Sequence, residues 1–171
     1  GTGANPSWTT MSSDVVKLTS GSITSSTSEL VMNNLFSTTY RAYKFIFTDF
    51  SPTNMNARIS YQYRIGTTNG SSSDGNFSEA SATNGRIGNW GISNTPFNAG
   101  QYEILMSDPK STRSVKQMFY TISNPKETDA YYAGEWGFSQ WRSTSAVDGI
   151  RWFTNVGNIG YANYVVYGLK H

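Results

Sequence analysis

The stretch "YYAGEWGFSQWR", residues 131–142, packs Tyr131, Tyr132, Trp136, Phe138 and Trp141 into a short span. Sugar C–H faces stack on aromatic rings, and Glu135 or Arg142 beside them could hydrogen-bond sugar hydroxyls. In a strand, side chains alternate between two faces. Trp136 and Phe138 then share one face, and Glu135 and Trp141 share the other. The rings therefore cannot all lie in one core. Burial of one face in a sandwich, with the other against a neighbouring chain, is the plain reading, because large aromatics are mostly buried. Stacking of Trp141 or Tyr132 on a glycan is the sharper one.

A second candidate is "GRIGNWGIS", residues 85–93. Trp90 sits among glycines in the least regular part of the chain, with Arg86 and Asn89 nearby. Loops carry binding more often than strands do. Trp90 could cap a sugar, grip a protein receptor, or fold back to plug the end of a sandwich.

Acid–base catalysis on glycans needs two carboxylates roughly 5 to 10 Å apart. The available pairs are Asp74 with Glu79, Glu127 with Asp129, and Glu135 with Asp148. Most lie in turn-like stretches, where Asp caps loops locally, so a non-enzymatic protein is expected. The chain has no Cys, and its one His is the final residue, His171. That excludes thiol and Ser-His-Asp chemistry, disulfides and multi-His metal sites. "SSSDGN" lacks the spaced ligands of an EF-hand loop and reads as a turn. "GRIGNWG" has neither the preceding buried strand nor the following helix of a dinucleotide site. No cofactor and no metal are expected.

The elements that hold these residues follow from composition. The 171 residues are 37% hydrophobic, 15% aromatic and only 14% charged. Ser, Thr, Asn and Gly fill the gap, which suits an all-β chain with many turns rather than a helical bundle. A net charge of +2 gives no electrostatic case for nucleic acid. No stretch is apolar for long enough to span a bilayer as a helix. No basic-then-apolar leader opens the chain, and it begins on Gly, so a fragment or processed product without a signal peptide is expected.

Residues 1–13, "GTGANPSWTTMSS", read as an extended linker in which Trp8 is a docking residue. Residues 14–171 read as a single β-sandwich domain. "VVKLTSGSITSS" suggests a hairpin at Ser20-Gly21, and "ELVMNNLF" a strand broken at Asn33-Asn34. "YRAYKFIFTDF" places Tyr43, Phe45 and Phe47 on one face, with Lys44 and Thr48 on the other. "ARISYQYRI" sets Ile59, Tyr61, Tyr63 and Ile65 against Ser60, Gln62 and Arg64, as a half-buried strand would. Residues 66–100 are polar and Gly-rich. They predict long loops with short strands near Phe77 and over Ile87 to Ile92. Strands then recur to the terminus, where Gly157 and Gly160 supply turn geometry and "YVVYGL" closes the chain. That last strand is expected to pair with "GIRWFT" or with the N-terminal strands. Roughly ten strands and no helix predict an antiparallel β-sandwich of jelly-roll type.

Three stretches carry a family resemblance. "GTGANPSW" resembles a junction segment of phage structural proteins. "YRAYKFIFTDFSPTNMNARISYQYRIGTTNG" resembles their paired-strand pattern with Asp, Pro and a closing Asn-Gly. "VDGIRWFTNVGNIGYANYVVYGLK" resembles their closing signature of a GIRF-like strand, a GNI turn and a YGLK strand. The chain thus resembles the C-terminal domain of a bacteriophage tail-fibre or virion-surface protein. The likeness covers both ends and residues 40–70, and fades over 71–142. It implies a virion location at the distal end of a tail fibre, a jelly-roll-like domain and a homotrimer. It implies no catalytic residue.

The reading that follows is a non-enzymatic receptor-binding domain. Its partners would be a host cell-surface polysaccharide or outer-membrane receptor, and other virion proteins through the N-terminal segment. Its ligand-binding residues would come from Arg86, Asn89, Trp90, Tyr131, Tyr132, Glu135, Trp136, Trp141 and Arg142. A capsid decoration or adaptor protein is the second reading, and a glycan depolymerase the third.

Overall fold

A computed structural model describes residues 14–70, 84–92, 94, 99–125 and 132–170. The linker, Trp8, Asp74, Phe77, Glu79, Glu127, Asp129, Tyr131 and His171 lie outside them. The described residues contain eleven strands and no helix. In chain order the strands are β1 (Val15–Ile23), β2 (Glu29–Met32), β3 (Ala42–Pro52), β4 (Ala57–Ile65), β5 (Thr68–Asn69) and β6 (Gly85–Ile92). Then come β7 (Gly100–Ser107), β8 (Lys116–Pro125), β9 (Tyr132–Trp141), β10 (Gly149–Thr154) and β11 (Ile159–Leu169).

They form two antiparallel sheets. The first has six strands in the order β1-β11-β3-β7-β8-β9. The second centres on β4, which pairs with β10 along one side and with β5 and β6 along the other, while β2 flanks β10. The architecture is the expected all-β sandwich.

The alternation in β3 is what sets the first sheet. Tyr43, Phe45 and Phe47 are buried, while Lys44, Ile46 and Thr48 face outward and are half-buried. Across the sandwich, Ile59, Tyr61 and Tyr63 of β4 and Trp152 of β10 close the same core. The Trp152 ring lies 5.2 Å from Phe45, 5.3 Å from Phe47 and 5.7 Å from Tyr61, centroid to centroid. Its contacts with the two Phe rings are edge-on, the arrangement favoured by ring quadrupoles. Tyr61 also bridges the sheets by donating its hydroxyl to Ser139 Oγ at 2.8 Å. Burial raises the Tyr61 phenol well above its ordinary pKa, so it remains a donor.

Three local expectations change. The proposed hairpin at Ser20-Gly21 is a single strand: β1 runs unbroken, paired with β11 from Val15–Leu169 to Ile23–Ala162. Gly21 is there because a Cβ would collide with the Tyr164 ring lying over it. β4 is not half-buried, since Ser60, Gln62 and Arg64 are buried as well as its apolar face. Polar partners make that possible. Arg151 donates to Gln62 at 2.7 Å and to Glu29 at 2.6 Å, and Arg64 donates to Asn33 at 2.6 Å and to Asn69. Of the two terminal glycines, Gly157 makes the turn, with φ at 68°, whereas Gly160 lies inside β11.

The last strand pairs with β1 on one side and β3 on the other, not with β10. Both backbone edges of β11 are satisfied, so it is no aggregation template. The Asn33-Asn34 break holds: β2 ends at Met32, and Asn34 takes φ of 52°, a region Asn tolerates.

Replacing Trp152 by Ala should cost about 3–5 kcal/mol, because it opens a cavity between the sheets. Trp152→Phe should cost markedly less, since it keeps a ring at the sheet contact. Urea denaturation followed by far-ultraviolet circular dichroism reads both values, and equal losses would contradict the assigned packing.

Candidate functional site

β9 divides its residues as alternation requires. Trp141 faces inward, is 1% exposed, and packs 5.1 Å from the Tyr63 ring. It is a core residue and offers no ring face to a ligand. Glu135 also faces the interior side and is half-buried, close to Gly88 of β6. Trp136 points the other way and is 85% exposed. Phe138, two residues on, is 51% exposed.

The neighbouring strands supply the rest of that outer face. The register sets Phe138 opposite Phe119 and Phe119 opposite Leu105, giving one apolar row across β9, β8 and β7. Phe119 is 53% exposed and Leu105 41%. The next row is Trp136, Thr121 and Glu103. Two shallow depressions follow these rows. One, about 260 Å³, is lined by Leu105, Phe119, Thr121 and Trp136. The other, about 310 Å³, runs on over Thr48, Gln101, Glu103 and Ser123. Glu103 and Thr121 line both, so the two form one trough across the sheet.

The trough has a polar floor and an aromatic wall. Glu103 is held by Lys44 at 2.8 Å, an exposed pair that fixes direction more than it stabilises. Thr121 brings a hydroxyl, and Gln101 an amide, to the same surface. Exposed rings beside oriented polar groups are the makings of a carbohydrate platform: apolar faces take sugar C–H groups, and polar groups take hydroxyls.

The other sequence candidates fall in several places. Asn89 and Trp90 lie on β6, but their side chains, like that of Tyr132 on β9, are outside the described residues. The short strand expected over Ile87 to Ile92 is there and starts earlier, at Gly85, so Trp90 is carried on a strand and not at a loop tip: β6 pairs with β4 through Ile59–Ile87, Ser60–Arg86 and Tyr61–Gly85. Arg86 is half-buried. β6 and β9 run close together in space, so the two predicted clusters do meet at the level of the backbone. Arg142 is exposed just beyond β9.

Leu105, Phe119, Glu103 and Thr121 were missed in the sequence. The signal was the runs "ILM" and "MFY", three apolar residues in succession on a strand. Alternation forces one of each three outward or the other two apart.

The carboxylate pair Glu135 and Asp148 is separated by the length of β9. Asp148 belongs to the Trp141 end, where its N–H donates to Arg64 O at 2.8 Å, whereas Glu135 lies about 20 Å along the strand from Trp141. That exceeds either glycosidase spacing. Asp148 instead ties loops together. It accepts from Lys110 and from the Gly66 N–H (2.6 Å), and its own carbonyl accepts from Phe36 N–H at 2.9 Å. The Lys110 ammonium, with the Gly66 N–H, holds its carboxyl below the usual carboxylate range. Among the described residues, no three His, Cys, Asp or Glu side chains gather as a metal site.

Compared with known proteins, the chain matches no family model, no curated protein and no solved structure.

Asp148→Asn should lower stability at neutral pH by about 1 kcal/mol, given charge-assisted bonds at a partly exposed site. The depressed carboxyl contributes stability above the unfolded value of 3.8 and loses it as pH falls below that value through the folded one. The wild type should therefore converge on the variant in acid. Thermal melts from neutral pH to below pH 4 check this, and a gap that stayed constant would contradict it.

Proposed function

We propose that this chain is a non-enzymatic adhesion domain that binds a cell-surface glycan on the outer face of β7, β8 and β9. The observation that carries this reading is Trp136, 85% exposed beside Phe119 and above Thr121 and Glu103. A folded protein rarely leaves a Trp this wet without a use for it.

A glycan fits the patch better than a stable flat protein contact does. Four part-exposed side chains offer on the order of 500 Å², against about 800 Å² per partner in a standard interface. The surroundings are polar and uncharged or paired, which suits hydroxyl-rich ligands. The resemblance of both chain ends to phage tail-fibre domains adds the setting: a virion surface, at the distal end of a fibre, facing a host polysaccharide or outer-membrane receptor. In that setting the domain works as a homotrimer, and three weak sites give avidity on a repetitive surface. The separation of Glu135 from Asp148 supports binding without hydrolysis.

The exposed row Leu105–Phe119–Phe138 favours a second reading, in which this face packs against another virion subunit and the domain is a decoration or adaptor protein. The two readings part on one set of variants. Trp136→Ala and Phe119→Ala should each weaken adsorption to host cells or purified polysaccharide at least about tenfold. Stability should move by no more than about 0.5 kcal/mol. Adsorption is read by pull-down on intact cells, and assembly by light scattering. Unchanged adsorption together with loss of oligomer in Trp136→Ala would favour the subunit contact instead.

A further inference from the structure

A basic cleft opens at one end of the first sheet, apart from the aromatic rows. It is about 440 Å³ and is lined by Thr38, Arg41, Lys110, Thr112 and Arg113, with Asp108 at its side. Its walls are the residues leading into β3 and the loop between β7 and β8. That loop is built, not slack. Ser111 N–H donates to Asp108 O at 3.1 Å, closing a turn, and Ser111 Oγ accepts from the N–H groups of Arg113 (3.1 Å) and Ser114 (3.2 Å). These bonds fix the backbone that carries Arg113.

The charges do not cancel. Arg41 pairs with Asp108 at 3.2 Å, and Lys110 pairs with Asp148. Arg113 is exposed and, among the described residues, has no carboxylate partner. Beneath the loop lies a further cation. Lys116 is 0% exposed, and its ammonium donates to the carbonyls of Ser111 (2.5 Å) and Ser114 (3.0 Å). Those are dipoles; the carboxylate whose charge reaches it is Asp108, which Arg41 already pairs, and a buried ammonium with a shared counter-charge is costly to hold. The corner thus gathers Arg41, Lys110, Arg113 and Lys116 against Asp108 and Asp148 alone.

Position links this corner to the stacking face. The outward residues of β7 run Glu103, Leu105 and Ser107, and the chain reaches Asp108 next. Five residues of extended chain span about 17 Å, a length that a short oligosaccharide covers. Arg142 leaves β9 at the same end of the sheet, beside the Trp141–Lys116 pair.

We infer that the Arg41–Lys110–Arg113 cleft is an anion subsite that takes a carboxylate or phosphate group carried by the bound glycan, an inference that rests on the adhesion reading above. The guanidinium of Arg113 is free to grip two oxygens side by side. Arg41 and Lys110 supply charge from the flanks, and the hydroxyls of Thr38 and Thr112 can complete the shell. The ligand is accordingly an acidic or phosphorylated polysaccharide, with its neutral rings on Trp136 and Phe119.

The test is a nuclear magnetic resonance titration of the full chain, separately with inorganic phosphate, glucuronate and glucose. Phosphate and glucuronate should shift the Ser111, Arg113 and Ser114 signals, glucose should not, and added salt should weaken both responses. Arg113→Gln should weaken anion binding about tenfold, while Lys17→Gln, on the far edge strand, should not. A response to phosphate alone would support a phosphorylated polysaccharide as the ligand, and a response to glucuronate alone an acidic one. No response to either, or an equal response in Arg113→Gln, would overturn the subsite. The stacking face fails separately: loss of its role appears as unchanged polysaccharide adsorption in Trp136→Ala, whatever the anions do.

Discussion

Packing of the Trp152 ring against Phe45 and Phe47 from one sheet and Tyr61 from its own is the contact on which the other placements depend. Sheets in a sandwich stand about 10 Å apart, a gap that side chains of this size fill. With that spacing set, every strand has an inner and an outer face, and a shift of one residue would exchange them. The division of β9 follows directly. Trp141 goes inward onto Tyr63, and Trp136 goes outward. Pinning of β11 between β1 and β3 keeps the register of the first sheet from slipping.

The two outer faces are finished differently. On the second sheet, Arg151 and Arg64 lie across their strands, and with Glu29, Gln62 and Asn33 they cover the backbone with satisfied polar groups. Such a surface is closed to apolar ligands, because displacing any member leaves a half-buried charge unpaired. On the first sheet the rows through β7, β8 and β9 leave apolar side chains wet. Among the described residues, the second sheet leaves Val31 part-exposed beside Arg151, whereas the first leaves Trp136, Phe138, Phe119 and Leu105. This asymmetry directs attention to the aromatic trough, and the excess positive charge at its end extends the surface from stacking to ion recognition.

Several parts were legible from residues alone. The period-two alternation in "YRAYKFIFTDF" and "ARISYQYRI" gave the inner residues of β3 and β4, because a strand has no other way to bury Tyr43, Phe45, Phe47, Ile59, Tyr61 and Tyr63 together. The burial of Ser60, Gln62 and Arg64 was not legible. It depends on Glu29, Asn33 and Arg151, which come from distant parts of the chain. The apparent hairpin at Ser20-Gly21 shows the same limit, since Gly21 suits a turn but is needed to admit Tyr164.

Sequence by itself determined the all-β class, the strand faces and the chemistry at hand: rings and amides, with no Cys and a single His at the chain end. It also showed that Trp136 and Trp141 must part company, because strand positions an odd number of residues apart, here five, cannot share a face. Which of the two meets solvent was decided only by the second sheet, which placed Tyr63 against Trp141. Likewise, only cross-strand register set Phe119 and Leu105 beside Phe138, and only loop closure set Arg41, Lys110 and Arg113 around one cleft. Those neighbours are far apart along the chain, and local pattern carries no information about which distant strand will lie alongside.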